Sequence, residues 1–282
     1  MTFDQFVHSS GLLPRQIIAD GRIHRCGTVN HPRSTNGAYM FDGNRGWCMS
    51  WDSGQGVQWW NDPTAKPWTE QDKKQWADKR RAEIQNKEIG YKKAAEKASQ
   101  LLSGCVVDTH PYLRSKQLPH VQGMVNSEGS LLIPMRDFLT NKLSGIQSIF
   151  FNENRDGFVK KFLPGMRAKG SVFNIGSGKR TILVEGYATA LSVYEAAKRM
   201  NLDVSVMSCF SALNMVFVAQ KKGHFIMADN DKSKTGELAA IETGLPWHMP
   251  VNEGMDWNDV HAEYGLMEVC LAVKDLLSIK GA

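Results

Sequence analysis

From Thr181 onward the chain alternates between short apolar runs and segments with apolar residues at helical spacing. Thr181–Glu185, Val204–Ser208 and Phe225–Asp229 are near-continuous apolar runs of strand length, as expected of strands buried on both faces. Between and after them, helices are predicted over Tyr187–Met200, Ser211–Lys221, Gly236–Thr243 and Gly265–Ile279, with a further short strand over Pro246–Pro250. Such alternation predicts a parallel sheet flanked by helices.

The earlier part of the chain has a different pattern. Residues 1–63 are rich in aromatics and glycine and contain no lysine. Ile17–Arg25 reads as a hairpin with Asp20-Gly21 at its turn, Ala38–Met49 as a second, and Gly54-Gln55-Gly56 as a turn before Val57–Trp60. A helix is predicted from Thr69, with Asp72 as its capping partner, to about Ser103. Its apolar positions (Trp76, Ile84, Tyr91, Leu101, Leu102) are sparse, so it reads as an exposed connecting helix. Strands follow at Leu131–Met135, Gly145–Phe150 and Phe158–Leu163. The predicted fold class is α+β, comprising a small N-terminal β-rich domain (1–63), a charged connecting helix (64–104), a basic β-rich subdomain (105–180) and an α/β, Rossmann-like domain with a mostly parallel sheet (181–282).

Charge sharpens this division. The 282 residues carry a net +5, yet 136–180 holds nine Lys/Arg against three Asp/Glu, while 181–282 holds eight against thirteen. A basic segment before an acidic one suits an enzyme that needs carboxylates for cations and lysines for phosphates, although a basic run is also an ordinary solvated surface. The five cysteines are scattered and odd in number, which argues against a disulfide framework and for a reducing compartment. No apolar leader or membrane-length apolar run is present, so a cytoplasmic protein without membrane attachment is expected.

The candidate chemistry sits where the apolar runs end. Glu185 closes one run; Asp229 and Asp231 close another. If these strands are neighbours, the three carboxylates converge and need a cation, with Mg²⁺ or Mn²⁺ as the suitable hard ions. One such residue alone would read as loop solvation; three, each ending the right strand, outline a phosphoryl-transfer site. Gly186 is expected to allow a tight turn off the strand. Thr189 and Asn230 suit either ordering of metal-bound water or plain helix-start and turn roles. Gly176-Ser177-Gly178-Lys179 lacks the spacing of a P-loop and precedes a strand instead of a helix.

Taken in order, Leu132-Ile133-Pro134-Met135-Arg136-Asp137, Ile146-Gln147-Ser148-Ile149, Lys161-Phe162-Leu163-Pro164-Gly165, Glu185-Gly186-Tyr187-Ala188-Thr189-Ala190, Ala228-Asp229-Asn230-Asp231 and Asp256-Trp257-Asn258-Asp259 resemble the Toprim primases of phages and plasmids. The resemblance covers roughly residues 105–282. It implies a DNA primase that synthesises short RNA primers on single-stranded DNA from NTPs. Glu185, Asp229 and Asp231 would be catalytic and metal-binding, Asp256 or Asp259 would add a carboxylate, and Arg136, Lys160, Lys161 and Lys169 would hold nucleic-acid and nucleotide phosphates. Strand alternation lets only one of Lys160 and Lys161 face the groove. Such primases often carry an N-terminal zinc ribbon and a helicase half. This chain has no Cys-x-x-Cys, and His24, Cys26, His31 and Cys48 are poorly spaced for zinc, so zinc is not expected and a helicase would be a separate partner. Arg22, Arg25, Arg33, Trp47, Trp51, Trp59 and Trp60 would either stack on single-stranded bases or, for the tryptophans, fill the small N-terminal core. Two rival functions are a Toprim nuclease, sharing the carboxylates, and a non-catalytic single-stranded nucleic-acid-binding replication protein. A topoisomerase would need a companion domain with a nucleophilic tyrosine.

Overall fold

A computed structural model describes residues 1–52, 56–64 and 69–279, leaving aside the side chain of Asp72. The expected turn at Gly54-Gln55 and the capping partner Asp72 therefore lie outside the described residues. The chain divides into two compact units, Met1–Arg80 and Arg81–Ala282.

In the first unit, helix α1 (Phe3–Ser9) starts with a capping box between Thr2 and Gln5. Strands β1 (Leu12–Leu13), β2 (Ile23–Thr28), β3 (Gly37–Phe41), β4 (Arg45–Ser50) and β5 (Gln58–Asn61) form an antiparallel sheet in chain order. Phe3, Val7, Leu12, Cys26, Tyr39 and Cys48 make its core. The predicted β3–β4 hairpin forms, with Phe41 opposite Gly46. The one predicted over Ile17–Arg25 does not: β2 pairs with β1 and β3, and Ile17–Ala19 is not a strand. The reason is Tyr39, whose hydroxyl donates to the Gln16 carbonyl (2.8 Å) and accepts from the Ile18 amide (3.2 Å), taking up groups a hairpin would pair. The Asp20-Gly21 turn survives, with Gly21 at φ +69°.

Helix α2 (Glu70–Ser103) enters the second unit. There it is more than a connector. Ala94, Ala98 and Leu102 are buried against Leu132, Ile146, Leu163 and Met166, whereas Trp76 and Ile84 are about half exposed (47% and 55%). Alanines add too little apolar area to stand out in a Lys/Glu-rich pattern, yet they let a helix approach a sheet closely.

Antiparallel strands come next: β6 (Val106–Asp108), β7 (Gly123–Val125), β8 (Leu131–Asp137), β9 (Leu143–Asn152), β10 (Gly157–Phe162) and β11 (Ser171–Ile175), with the short helix α3 (Pro111–Ser115) between β6 and β7. The alternating part follows: β12 (Arg180–Val184), α4 (Tyr187–Arg199), β13 (Val204–Ser208), α5 (Ala212–Ala219), β14 (Phe225–Met227), α6 (Thr235–Thr243), β15 (Trp247–His248), α7 (Trp257–Tyr264) and α8 (Leu266–Ser278). All ten strands share one sheet, ordered β10-β9-β8-β11-β13-β12-β14-β15, with β7 on β8 and β6 on β7. The stretch β13-β12-β14-β15 is parallel. Strand β11 joins the two halves, pairing antiparallel with β8 through Ser171 and Val172 and with β13 through Phe173–Ile175.

Both faces of the parallel strands are covered, as their unbroken apolar runs require. Ile182 and Val184 pack with Val193, Val269 and Val273 on the α4/α8 side, while Leu183 packs with Met215 and Val218 on the α5 side.

Candidate active site

Strand β12 is central, with β13 and β14 on either side. The chain therefore leaves β12 through α4 toward one neighbour and returns through α5 to the other. The crevice beyond the C-terminal ends of such strands is where open α/β sheets bind ligands. Glu185 directly follows β12, and Asp229 lies two residues beyond β14.

Asp229 is in an unusual state. Its Oδ1 is buried and has no hydrogen-bond partner. Burial, followed by the charges of Asp256, Glu185, Asp231 and Asp259, pushes its pKa up to about 8. Glu185 is raised as well, by burial first and Asp231 second, with Lys160 acting the other way. Asp231 behaves differently. Burial pushes it up, but bonds from the Ser233 hydroxyl and from the Gly236 (3.1 Å) and Thr235 (3.2 Å) amides outweigh this and keep it below the usual carboxylate range. Asp231 thus anchors the start of α6 as a fixed anion, in keeping with anion preference at helix N-termini.

Two backbone devices position this loop. A Cβ on Gly236 would lie 2.5 Å from the Asp229 carbonyl oxygen, so glycine is required there for space. Gly236→Ala is expected to cost about 1–3 kcal/mol in urea unfolding, because backbone must move to admit the methyl. Asn230 forms an antiparallel bridge with Met255 and donates from Nδ2 to the Pro250 carbonyl (2.9 Å), which ties the Asp229 loop to the segment carrying Asp256.

Asp256 and Asp259 are engaged in a capping box at the start of α7, a helix that sequence reading missed. Asp256 accepts from the Asn258 (2.7 Å) and Asp259 (2.8 Å) amides, and Asp259 from the Asp256 amide (3.1 Å) and from Lys116 Nζ (3.3 Å). Asp256→Ala is expected to lower stability by about 1 kcal/mol through the lost cap, and to move the Asp229 titration, followed by carboxyl NMR, to lower pH.

The five predicted carboxylates therefore act on one another, but the four predicted basic residues do not gather around them. Lys160 is the one that reaches Glu185; its Nζ lies 5.5 Å from the Tyr112 ring centre. Lys161 takes the opposite strand face, over Phe150. Lys169 sits over Phe217 at 4.4 Å, and Arg136 donates to the Asn141 carbonyl (3.1 Å). Gly186 has an extended backbone (φ −93°, ψ 154°) that any residue adopts, so the expected tight turn is not its role; its Cβ position would be 3.2 Å from Thr189 Oγ1. Thr189 is buried, with Oγ1 unpartnered.

Sequence reading missed Lys116 and Tyr112. Tyr112 is buried, its hydroxyl unpartnered and its pKa pushed up to about 12, mainly by burial. Lys116 meets Asp259 from 143 residues away, a separation that no local pattern reveals.

Among the described residues, no three His, Cys, Asp or Glu side chains are placed to cage an ion. Mg²⁺ does not require a cage: it retains waters and binds through one or two carboxylates plus substrate phosphates. The orphaned oxygen of Asp229 and the mutual repulsion around it fit one such cation. In the first unit, His24 pairs with Asp20 and His31 with Asp52, while Cys26 and Cys48 are buried in the core. Trp47 and Trp60 are half-buried; Trp51 and Trp59 are exposed, with Arg25 stacked 4.0 Å from the Trp51 ring centre. Among the described residues, no helix is long and apolar enough to cross a membrane.

Comparison with protein-family models and with curated proteins gave no match. Among solved structures, the chain is similar to the RNA polymerase domain of Mycobacterium tuberculosis primase DnaG, at 15% identity and a TM-score of 0.36, over 64% of this chain and 71% of that one. A likeness of that size carries no argument about the site.

Proposed function

We propose that this protein is a Toprim-type primase, a nucleotidyltransferase that joins ribonucleotides on single-stranded DNA with Mg²⁺ or Mn²⁺. The observation that carries this reading is Asp229 Oδ1, buried and unpartnered at the switch point of the parallel sheet with four other carboxylates acting on it. A buried carboxylate costs free energy unless it is protonated or paired with a cation. Asp229, giving up its proton, and Glu185 are the residues that would hold the cation. When bound, the cation neutralises triphosphate oxygens and lowers the pKa of the attacking 3′-hydroxyl. Asp231, fixed as an anion on α6, keeps the loop in place, and Lys160 offers positive charge to a phosphate beside Glu185.

The test is incubation with labelled NTPs and single-stranded DNA, with and without Mn²⁺. The expected product is short, template-dependent and NTP-dependent RNA. Metal-dependent shortening of the DNA without NTP incorporation would make the protein a nuclease, and template binding without turnover would make it an accessory protein.

A further inference from the structure

A second feature lies on the α5 side of the sheet. A cleft of about 610 Å³ is lined by Phe162, Phe210, Phe217, Leu213, Lys169 and Glu242 among others. Its size is that of a small-molecule site. Three phenylalanines stand among its walls, beside Met135, Leu213 and Val216; Phe162 is edge-on to Phe210, ring centres 5.9 Å apart and planes at 90°. Lys169 Nζ lies 4.4 Å and Lys221 Nζ 5.9 Å from the Phe217 ring centre. Phe162 and Leu213 are exposed (40% and 76%), whereas Phe210 and Phe217 are half-buried behind them.

Phe210 is the notable member. Its φ is +63°, a left-handed conformation that a bulky aromatic rarely adopts and that costs of order 1 kcal/mol. Two backbone bonds keep it there: its own amide donates to the Glu185 carbonyl (2.8 Å) and the Cys209 amide to the Val184 carbonyl (2.8 Å). The strained aromatic is thus fastened to the residue that begins the carboxylate site.

We propose that this cleft holds a base of single-stranded nucleic acid at Phe210 and Phe162, face to one ring and edge to the other, with the adjoining phosphate on Lys169. This rests on the nucleotidyl-transfer reading and adds to it a base-binding subsite. Aromatic faces beside lysines are how single strands are held without sequence preference. An apolar peptide would have no use for the lysine charges beside Phe217.

The experiment uses the full chain in EDTA, so that no divalent cation contributes, with a single-stranded oligonucleotide carrying 2-aminopurine. The wild type is expected to quench the probe and to bind an abasic oligonucleotide more weakly. Phe210→Gly relieves the backbone strain while removing the ring; it should weaken binding about tenfold, abolish quenching and erase the preference over the abasic strand. Lys169→Gln should flatten the slope of log affinity against log salt by about 0.7. Unchanged affinity and quenching in Phe210→Gly, or no quenching by the wild type, would overturn the proposal; a cleft used by an apolar peptide gives the first of these results. Mn²⁺-dependent NTP incorporation, measured in parallel at saturating template, separates the two readings: the cleft fails alone if the wild type incorporates NTPs without quenching the probe, and the metal reading fails alone if quenching persists without incorporation.

Discussion

Asp229→Asn is expected to reduce NTP incorporation by about 10³-fold or more, with template binding in EDTA nearly unchanged. Asparagine keeps the size of the side chain but cannot become an anion, so the buried oxygen no longer attracts a cation. Losing Lewis-acid stabilisation worth several kcal/mol corresponds to that factor. Lys116→Gln, which acts on Asp259 at the edge of the cluster, should cost far less, and a gel assay of both variants at saturating Mn²⁺ checks the ranking. Equal losses would mean that the carboxylates serve the fold and not the reaction.

The second large effect is on stability in the absence of divalent cations. An unfolded Asp releases its proton near pH 3.9, whereas Asp229 keeps one until about pH 8. Between those values the folded state binds more protons than the unfolded state, so stability falls as pH rises. His110 and His261, both lowered mainly by burial, act in the opposite sense below about pH 6.5, where unfolding takes up protons. Asp231, held low, contributes stability that is present above about pH 3.9 and lost in acid. From pH 6.5 to 8 the histidines and Asp231 no longer oppose Asp229, Glu185 acts in the same sense as Asp229, and the slope of Asp229 alone predicts a loss of about 2 kcal/mol. Urea unfolding in EDTA should show that loss in the wild type and its absence in Asp229→Asn, which would be the more stable protein at pH 8. A flat wild-type profile would mean that Asp229 ionises normally.

The strands that position the site were legible because they are buried on both faces. Ile182-Leu183-Val184 and Phe225-Ile226-Met227 have no polar position to disguise them; Glu185 directly follows the first, and Asp229 lies two residues beyond the second. Other parts were illegible for identifiable reasons. Ala94 and Ala98 are buried but too small to mark a face, so α2 read as exposed. Strand β11 mixes Ser171 and Asn174 with apolar residues, and without it the sheet read as two. Asp256 and Asp259 close a capping box that the one-dimensional pattern did not show, because helix α7 starts there. Asp229 and Asp231 read alike in sequence, yet the α6 amides fix one as an anion while burial keeps a proton on the other. That difference depends on Gly236, whose missing side chain admits the Asp229 carbonyl.

The central claim is that Asp229 exchanges a proton for a divalent cation, and calorimetric titration of Mn²⁺ into the wild-type protein at pH 6, 7 and 8 tests it most directly. One proton released per cation makes the affinity rise about tenfold per pH unit up to about pH 8, and Asp229→Asn should bind no Mn²⁺ at this site. Affinity independent of pH, or retained by Asp229→Asn, would contradict the account.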